Sequence, residues 1–346
     1  MALSIKFPSV TDCLKARLRQ ILGVPSPNSG NAMSSSPSLS RNQNLGLIIL
    51  LLAGAAVAVW LPARGGMSGV DAMMLGLIEG LTEFLPVSST GHLVAYSRLS
   101  GLEEASSNSL NIVIQVGAIF AVFVVWRQRI GSVLKGVKEG VPEARRYLGN
   151  LLLAFLPCVV IGLLFSKKIK EHLFNLNGIG SALVIGGILL LIIDVRRRQG
   201  GKEIEAMPWQ HALIIGCCQC IAMCPGTSRS LVVLLAAFAL GYSLASAVEF
   251  SFMLGLITLS AACAKEMKDA GLSIFTHYGW ALPLCALIIA TASAALTAAW
   301  LLEGLKRYGL RPFGFYRLAL GGFLLWTAAH TPDQTTKSPA VKNSSR

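Results

Sequence analysis

Apolar runs close to bilayer-spanning length follow one another along the chain, at 46–62, 111–126, 147–165, 179–194, 249–264, 279–302 and 313–330. A helix needs about 20 predominantly apolar residues to cross a hydrocarbon core. In lipid every backbone N–H and C=O must be satisfied internally, which leaves helices or closed barrels. Runs of this length predict an all-α integral membrane protein, a polytopic helical bundle. Only 14% of the residues are charged and 53% are hydrophobic, against about 25% charged in a soluble domain. Those figures also exclude disordered, collagen-like and disulfide-scaffold chains.

Two further stretches, 70–99 and 209–241, are apolar but broken in the middle, by Pro86-Val-Ser-Ser-Thr-Gly91 and by Pro225-Gly-Thr-Ser-Arg-Ser230. Each half is too short to cross. Broken backbone at membrane depth is tolerated where protein or a water-filled cavity covers it, so both read as re-entrant helical hairpins with polar tips. The two also resemble each other: Gly76-x-x-Glu79 before Pro86-x-Ser88 parallels Gly216-x-x-Gln219 before Pro225-x-x-Ser228.

The charges test this layout. The formal net charge is +13, but the basic residues sit in short clusters between apolar runs, unlike the dense stripes with interleaved aromatics of a nucleic-acid binder. Segments 127–146 (Arg127, Arg129, Lys135, Lys138, Arg145, Arg146), 195–208 (Arg196, Arg197, Arg198, Lys202) and 303–312 (Lys306, Arg307, Arg311) are cytoplasmic by the positive-inside rule, as is the basic N-terminus. All four fall on one side only if both broken segments return to the side they start from. One hairpin then enters from outside and the other from the cytoplasm, an inverted repeat whose binding site lies near the midplane. The short basic loop 166–178 (Lys167, Lys168, Lys170) falls outside, against the rule.

The remaining segments are read more coarsely. Residues 1–45 form a polar, basic extension expected to be disordered, with a short amphipathic helix around 12–22; its acid-poor, Ser-rich character also resembles an organellar transit peptide. Residues 46–69 hold a signal-anchor helix and a short loop, 70–330 the membrane domain, and 331–346 a polar tail. Seven of the eight cysteines lie in apolar runs, where Cys acts as a small apolar residue. Cys217, Cys220 and Cys224 share a helical face, but thiolates are costly in hydrocarbon and no His sits beside them.

The first tip carries the chemistry. Glu79 and Glu83 are spaced i, i+4, so both carboxylates share one helix face. Carboxylates in an apolar segment default to a functional reading: they can hold a divalent cation, orient a histidine or share a proton. The plainer reading is two side chains reaching the aqueous rim. His92 follows Ser89 by three positions. On a helix starting near Ser88 the two face the same way, so the histidine can activate the hydroxyl or move a proton itself. In the second tip, Arg229 sits among hydroxyls at a helix N-terminus, an arrangement suited to gripping phosphate; the plainer reading is an interfacial arginine snorkelling to headgroups. The expected substrate contacts are Ser88, Thr90, Gln219, Gly226, Thr227, Ser228 and Ser230.

The blocks EGLTEFLPVSSTGH (79–92) and PGTSRS (225–230), with IVIQVG at 112–117 and EFSFML at 249–254, resemble the undecaprenyl-diphosphatase family, also known as bacitracin-resistance proteins, over roughly residues 70–330. The resemblance implies a membrane enzyme that removes the terminal phosphate of undecaprenyl diphosphate, giving the monophosphate carrier used for peptidoglycan. It implies an inverted repeat with two re-entrant hairpins and help from a divalent cation, Mg²⁺ or Ca²⁺, with Glu79 and Glu83 as its ligands. The family's glutamate pair falls on Glu79 and Glu83, its serine and histidine on Ser89 and His92, and its arginine on Arg229. The chain departs from the family pattern at Leu231-Val232-Val233, where Gly-Ala-Thr is usual, and at Asn111, where Glu is usual.

The expectation that follows is a multi-pass protein of a bacterial inner membrane, with a cytoplasmic N-terminus and an active site toward the periplasmic face. Its partners are the polyprenyl diphosphate and membrane lipids, not nucleic acid, with a homodimer as a further expectation. Either Ser89 or a water it positions attacks the terminal phosphorus. The competing class is a polyprenyl-phosphate transporter or flippase, since inverted repeats with broken helices are also transporter architecture.

Overall fold

The computed structural model describes residues 39–102, 104–193 and 201–330. The expected helix at 12–22, Cys13, the Arg196–Arg198 cluster and the 331–346 tail lie outside them. The described residues are helical throughout: α1 (Arg41–Trp60), α2 (Gly69–Thr82), α3 (Ser89–Leu99), α4 (Glu104–Glu139), α5 (Pro142–Leu173), α6 (Leu176–Ile192), α7 (Trp209–Gln219), α8 (Arg229–Ala239), α9 (Leu244–Tyr278), α10 (Ala281–Tyr308) and α11 (Arg311–His330). By length and composition, α1 and stretches of α4, α5, α9 and α10 suffice to cross a membrane.

α1 starts ahead of the apolar run because Ser40 and Gln43 form a capping box, the Ser40 hydroxyl accepting from the Gln43 N–H. The basic segment 127–146 is not an extended loop. α4 runs through it to Glu139 and α5 restarts at Pro142, so its charges ride on two helix ends. Pro at the first helical position suits that restart, since its missing N–H would have no partner there anyway.

Both broken segments are helix–break–helix pairs. At about 1.5 Å per residue, α2, α3, α7 and α8 are each far shorter than the roughly 30 Å core of a bilayer. Within each pair the far ends are tied together. The Tyr96 hydroxyl donates to Asp71 Oδ1 at 2.9 Å, closing α3 on α2, and Tyr242, just beyond α8, meets His211 of α7 at 2.9 Å. Ser68 caps α2 reciprocally with Asp71, fixing that carboxylate for Tyr96.

The element order repeats: α2 to α6 and α7 to α11 are each two short helices, two long ones and a medium one. The halves also exchange partners. α10 packs on α2, α5 packs on α7, and α6 lies against α11. Gly76 and Gly216, matched in the sequence reading, play one role. A Cβ on Gly76 would run into the backbone carbonyl of Ala286 in α10, and one on Gly216 into that of Ala154 in α5. Val at either position is expected to lower stability by about 3 kcal/mol, since backbone cannot yield as a side chain does. Gly149→Ala, on open α5 surface, should be neutral or mildly stabilising. Thermal unfolding in detergent checks both; an unchanged midpoint for Gly76→Val would refute the close crossing. α1 leans on α2 and α10, with the Ala58 carbonyl against Gly69 and Gly54 against Ile289.

Candidate active site

The breaks are sharp because both contain a serine in the left-handed region, Ser88 at φ 70° and Ser228 at φ 73°, the two non-glycine residues with positive φ among those described. That conformation is costly for a residue with a Cβ and clusters where surrounding structure enforces it. Each serine is the N-cap of its second half-helix: Ser88 Oγ accepts from the Gly91 N–H and Ser228 Oγ from the Leu231 N–H. Gly226, at φ +88°, passes so close to the Ile179 carbonyl that no Cβ fits.

The two tips meet. Arg229 Nη2 donates to Glu83 Oε1 at 2.9 Å, and Ser230 Oγ donates to the Leu85 carbonyl at 3.0 Å. Glu83 Oε2 accepts from the Ser89 hydroxyl at 2.6 Å. Serine, glutamate and arginine thus form one hydrogen-bonded chain across the two hairpins. Arg229 Nη1 is held by the Gly255 carbonyl at 2.8 Å and by Thr258 Oγ1 at 3.0 Å, both on α9, while its Nε–H is buried without a partner.

The tips open onto a cavity of about 620 Å³ between α5 and α9. Glu83, Ser88, Ser89, Thr90, Gln219, Gly226, Ser228 and Arg229 line it. Thr227 and Ser230 do not. Thr227 turns its carbonyl to Arg317, and Ser230 bridges the tips. Gln219 is buried, its amide donating to Cys158 Sγ at 3.2 Å and its oxygen unpartnered.

His92 does not meet Ser89. Its Nδ1–H donates to the Ser88 carbonyl at 2.7 Å, and its Nε2 lies 2.7 Å from the Tyr316 hydroxyl on α11, with the rings stacked. The expected shared face fails because Ser89 stands in the first turn with its hydroxyl drawn back to Glu83, whereas His92 reaches back along its own helix to the cap. Since a carbonyl only accepts, the proton sits on Nδ1.

Glu79 lies within electrostatic reach of Glu83 and Arg229, fully buried, and both its carboxylate oxygens lack a hydrogen-bond partner. A buried carboxylate without a partner is costly. Among the described residues no three His, Cys, Asp or Glu side chains gather into a metal cage. Glu79 and Glu83 supply two carboxylates only; a magnesium-like site would need substrate phosphate and water to complete its shell around them. The described cysteines are all free thiols, with Cys158 and Cys220 Sγ 3.8 Å apart.

Arg317 and Thr258 hold the site without having stood out in the sequence, and a third residue, Arg129, proves buried rather than exposed on a loop. Arg317 of α11 is fully buried and donates to the carbonyls of Pro86 in the first tip, Gly226 and Thr227 in the second, and Ala182 and Leu183 of α6. Those tip carbonyls lost their helical partners at the breaks, and one guanidinium answers them from both sides. A lone arginine inside the run 313–330 was the available signal. Arg129, counted above among loop charges, is buried and bonds Glu249 at 2.6 Å and Glu205 at 2.8 Å. Thr258 looked like one more residue of a span.

Comparison with known proteins identifies the family. The undecaprenyl-diphosphatase of Sorangium cellulosum is 42% identical over 261 residues, covering 74% of this chain and 85% of that protein. Undecaprenyl-diphosphatase 2 of Rhodospirillum rubrum is 40% identical over 267 residues, covering 75% and 94%, and the undecaprenyl-diphosphatase of Azotobacter vinelandii 40% over 274, covering 78% and 95%. The family described as bacitracin resistance protein BacA matches residues 72–323, from within α2 to within α11; with both hairpins inside that match, the chain belongs to the BacA family of bacitracin resistance proteins.

Proposed function

We propose that the chain hydrolyses undecaprenyl diphosphate to undecaprenyl phosphate and phosphate, recycling a cell-wall lipid carrier and so conferring bacitracin resistance. The Ser89–Glu83–Arg229 chain at the head of the cavity carries this reading. Ser89 is a hydroxyl already bonded to a base, and the base is held by a cation, the geometry of an activated nucleophile. The Ser89 oxygen attacks the terminal phosphorus and its proton passes to Glu83. The bond to the inner phosphate breaks, and water then displaces phosphate from Ser89. The unpartnered Arg229 Nε–H and the N–H groups of the tips bind phosphoryl oxygens. His92 pins the strained Ser88 peptide and steadies the tip. Glu79, whose carboxylate oxygens are unbonded, would hold a divalent cation, Mg²⁺ or Ca²⁺, and Glu83 would join it only through an oxygen released by Arg229 or Ser89; such a cation when bound neutralises charge on phosphate.

In this reading both hairpins re-enter, and the protein sits in a bacterial inner membrane with its N-terminus in the cytoplasm. The tied ends of each hairpin support re-entry. The basic ends of α4, α5 and α10 support the orientation. With that orientation the cavity mouth, at Ser166 and Lys265, faces the periplasm. The polyprenyl tail lies against apolar walls such as Phe155, Val159 and Leu259.

Purified protein in detergent should release phosphate from a polyprenyl diphosphate, and release should fall with a chelator. A micelle has no second compartment, so a flippase would give nothing. Absence of phosphate release with intact, folded protein would overturn the reading.

A further inference from the structure

Arg229 alone cannot balance a diphosphate head. Its Nη2 bonds Glu83 and its Nη1 bonds Gly255 and Thr258, so three of its five N–H donors are spent on the protein itself. The cavity wall supplied by α9 continues past that point. Thr258, Ala261, Ala262, Lys265 and Glu266 all line it, at the i, i+3, i+4, i+7, i+8 spacing of one helix face. Lys265 therefore stands two turns, about 10 Å, along the wall from the residue that anchors Arg229. Its flexible four-carbon stem lets the ammonium cover the space between. Across the mouth, on α5, Ser166 Oγ lies 3.5 Å from Lys265 Nζ and also lines the cavity. Between this polar neck and the tips the walls are largely apolar, with Val159, Leu163 and Leu259.

We infer that Lys265, with Ser166, forms an outer phosphate subsite. It draws the diphosphate head inward and holds the phosphate product on its way to water. This rests on the hydrolase reading for its substrate, but the binding of free phosphate tests it separately. A lysine solvated on a helix face would leave phosphate binding untouched, whereas a ligand contact would not.

The test uses full-length protein in detergent, as wild type, Lys265→Gln and Lys265→Arg. Inorganic phosphate should raise the thermal midpoint of wild type more than chloride does at matched ionic strength. The excess should vanish in Lys265→Gln and return in Lys265→Arg. In phosphate-release assays, the inhibition constant for phosphate and the KM for the lipid should each rise about tenfold in Lys265→Gln, with kcat unchanged, as for one lost charge-assisted hydrogen bond. An equal phosphate shift in wild type and Lys265→Gln, or a shift matched by chloride, overturns the subsite. A Lys265-dependent shift in a protein that releases no phosphate would keep the subsite and discard the hydrolase.

Discussion

Glu83→Gln should lower phosphate release by about a thousandfold while leaving the protein folded. Gln keeps the volume and can still accept from Ser89, but it cannot take the serine proton. Loss of a positioned general base costs about 10²–10⁴-fold. The same change strips Arg229 of its charge partner, since the two side chains are only 9% and 14% exposed. Breaking such a pair from one side costs about 3–5 kcal/mol where burial is complete, and less in proportion as water reaches it. Thermal unfolding must therefore be measured beside activity. Arg229→Gln combined with Glu83→Gln should recover stability and no turnover. If the single variant kept even a tenth of wild-type kcat, Glu83 would not be the base, and the water-attack route with another proton acceptor would take its place.

Arg317→Met should be the most damaging change for the fold. Methionine fills a similar volume but answers none of the five carbonyls the guanidinium serves. Ala182 and Leu183 keep their helical partners within α6, but Pro86, Gly226 and Thr227 do not. Each buried acceptor left alone costs about 1–3 kcal/mol, so even the low end is about 3 kcal/mol, a large share of the roughly 5–15 kcal/mol that holds a typical protein folded. Lys at this position keeps a charge but offers three donors from one point and should fall between. Unfolding midpoints, and the amount of protein recovered in membranes, measure the loss. A methionine variant that melts with wild type would mean that the tip carbonyls find other partners.

The breaks were legible because their signals are local: Pro, Gly and hydroxyl residues interrupt apolar runs. The meeting of Glu83 with Arg229 is in keeping with the repeat, since the two matched tips come together in the fold. The Ser89 hydroxyl and His92 parted company because helical spacing gives a common face but not a rotamer, and Glu83 competes for the hydroxyl at 2.6 Å. Arg317, Arg129 and Thr258 stayed hidden for one shared reason. Each acts on a residue far away in the chain, at Pro86, Glu249 and Arg229 respectively, and no local pattern records such a pairing. The cavity wall of α9 was hidden likewise, because a run that crosses lipid and a run that lines water look alike in hydropathy.

The twofold plan makes the molecule indivisible. The same spacing along the chain separates Gly76 from Gly216, Glu79 from Gln219, Ser88 from Ser228 and Ser89 from Arg229. The two glycines do the same job and the two serines cap the same bend, but Glu83 and Ser89 are on one copy and Arg229 on the other. Each half also cushions the leading helix of its sibling. The two halves are left and right hands of one tool, and neither could assemble the meeting of Glu83 with Arg229 without the other.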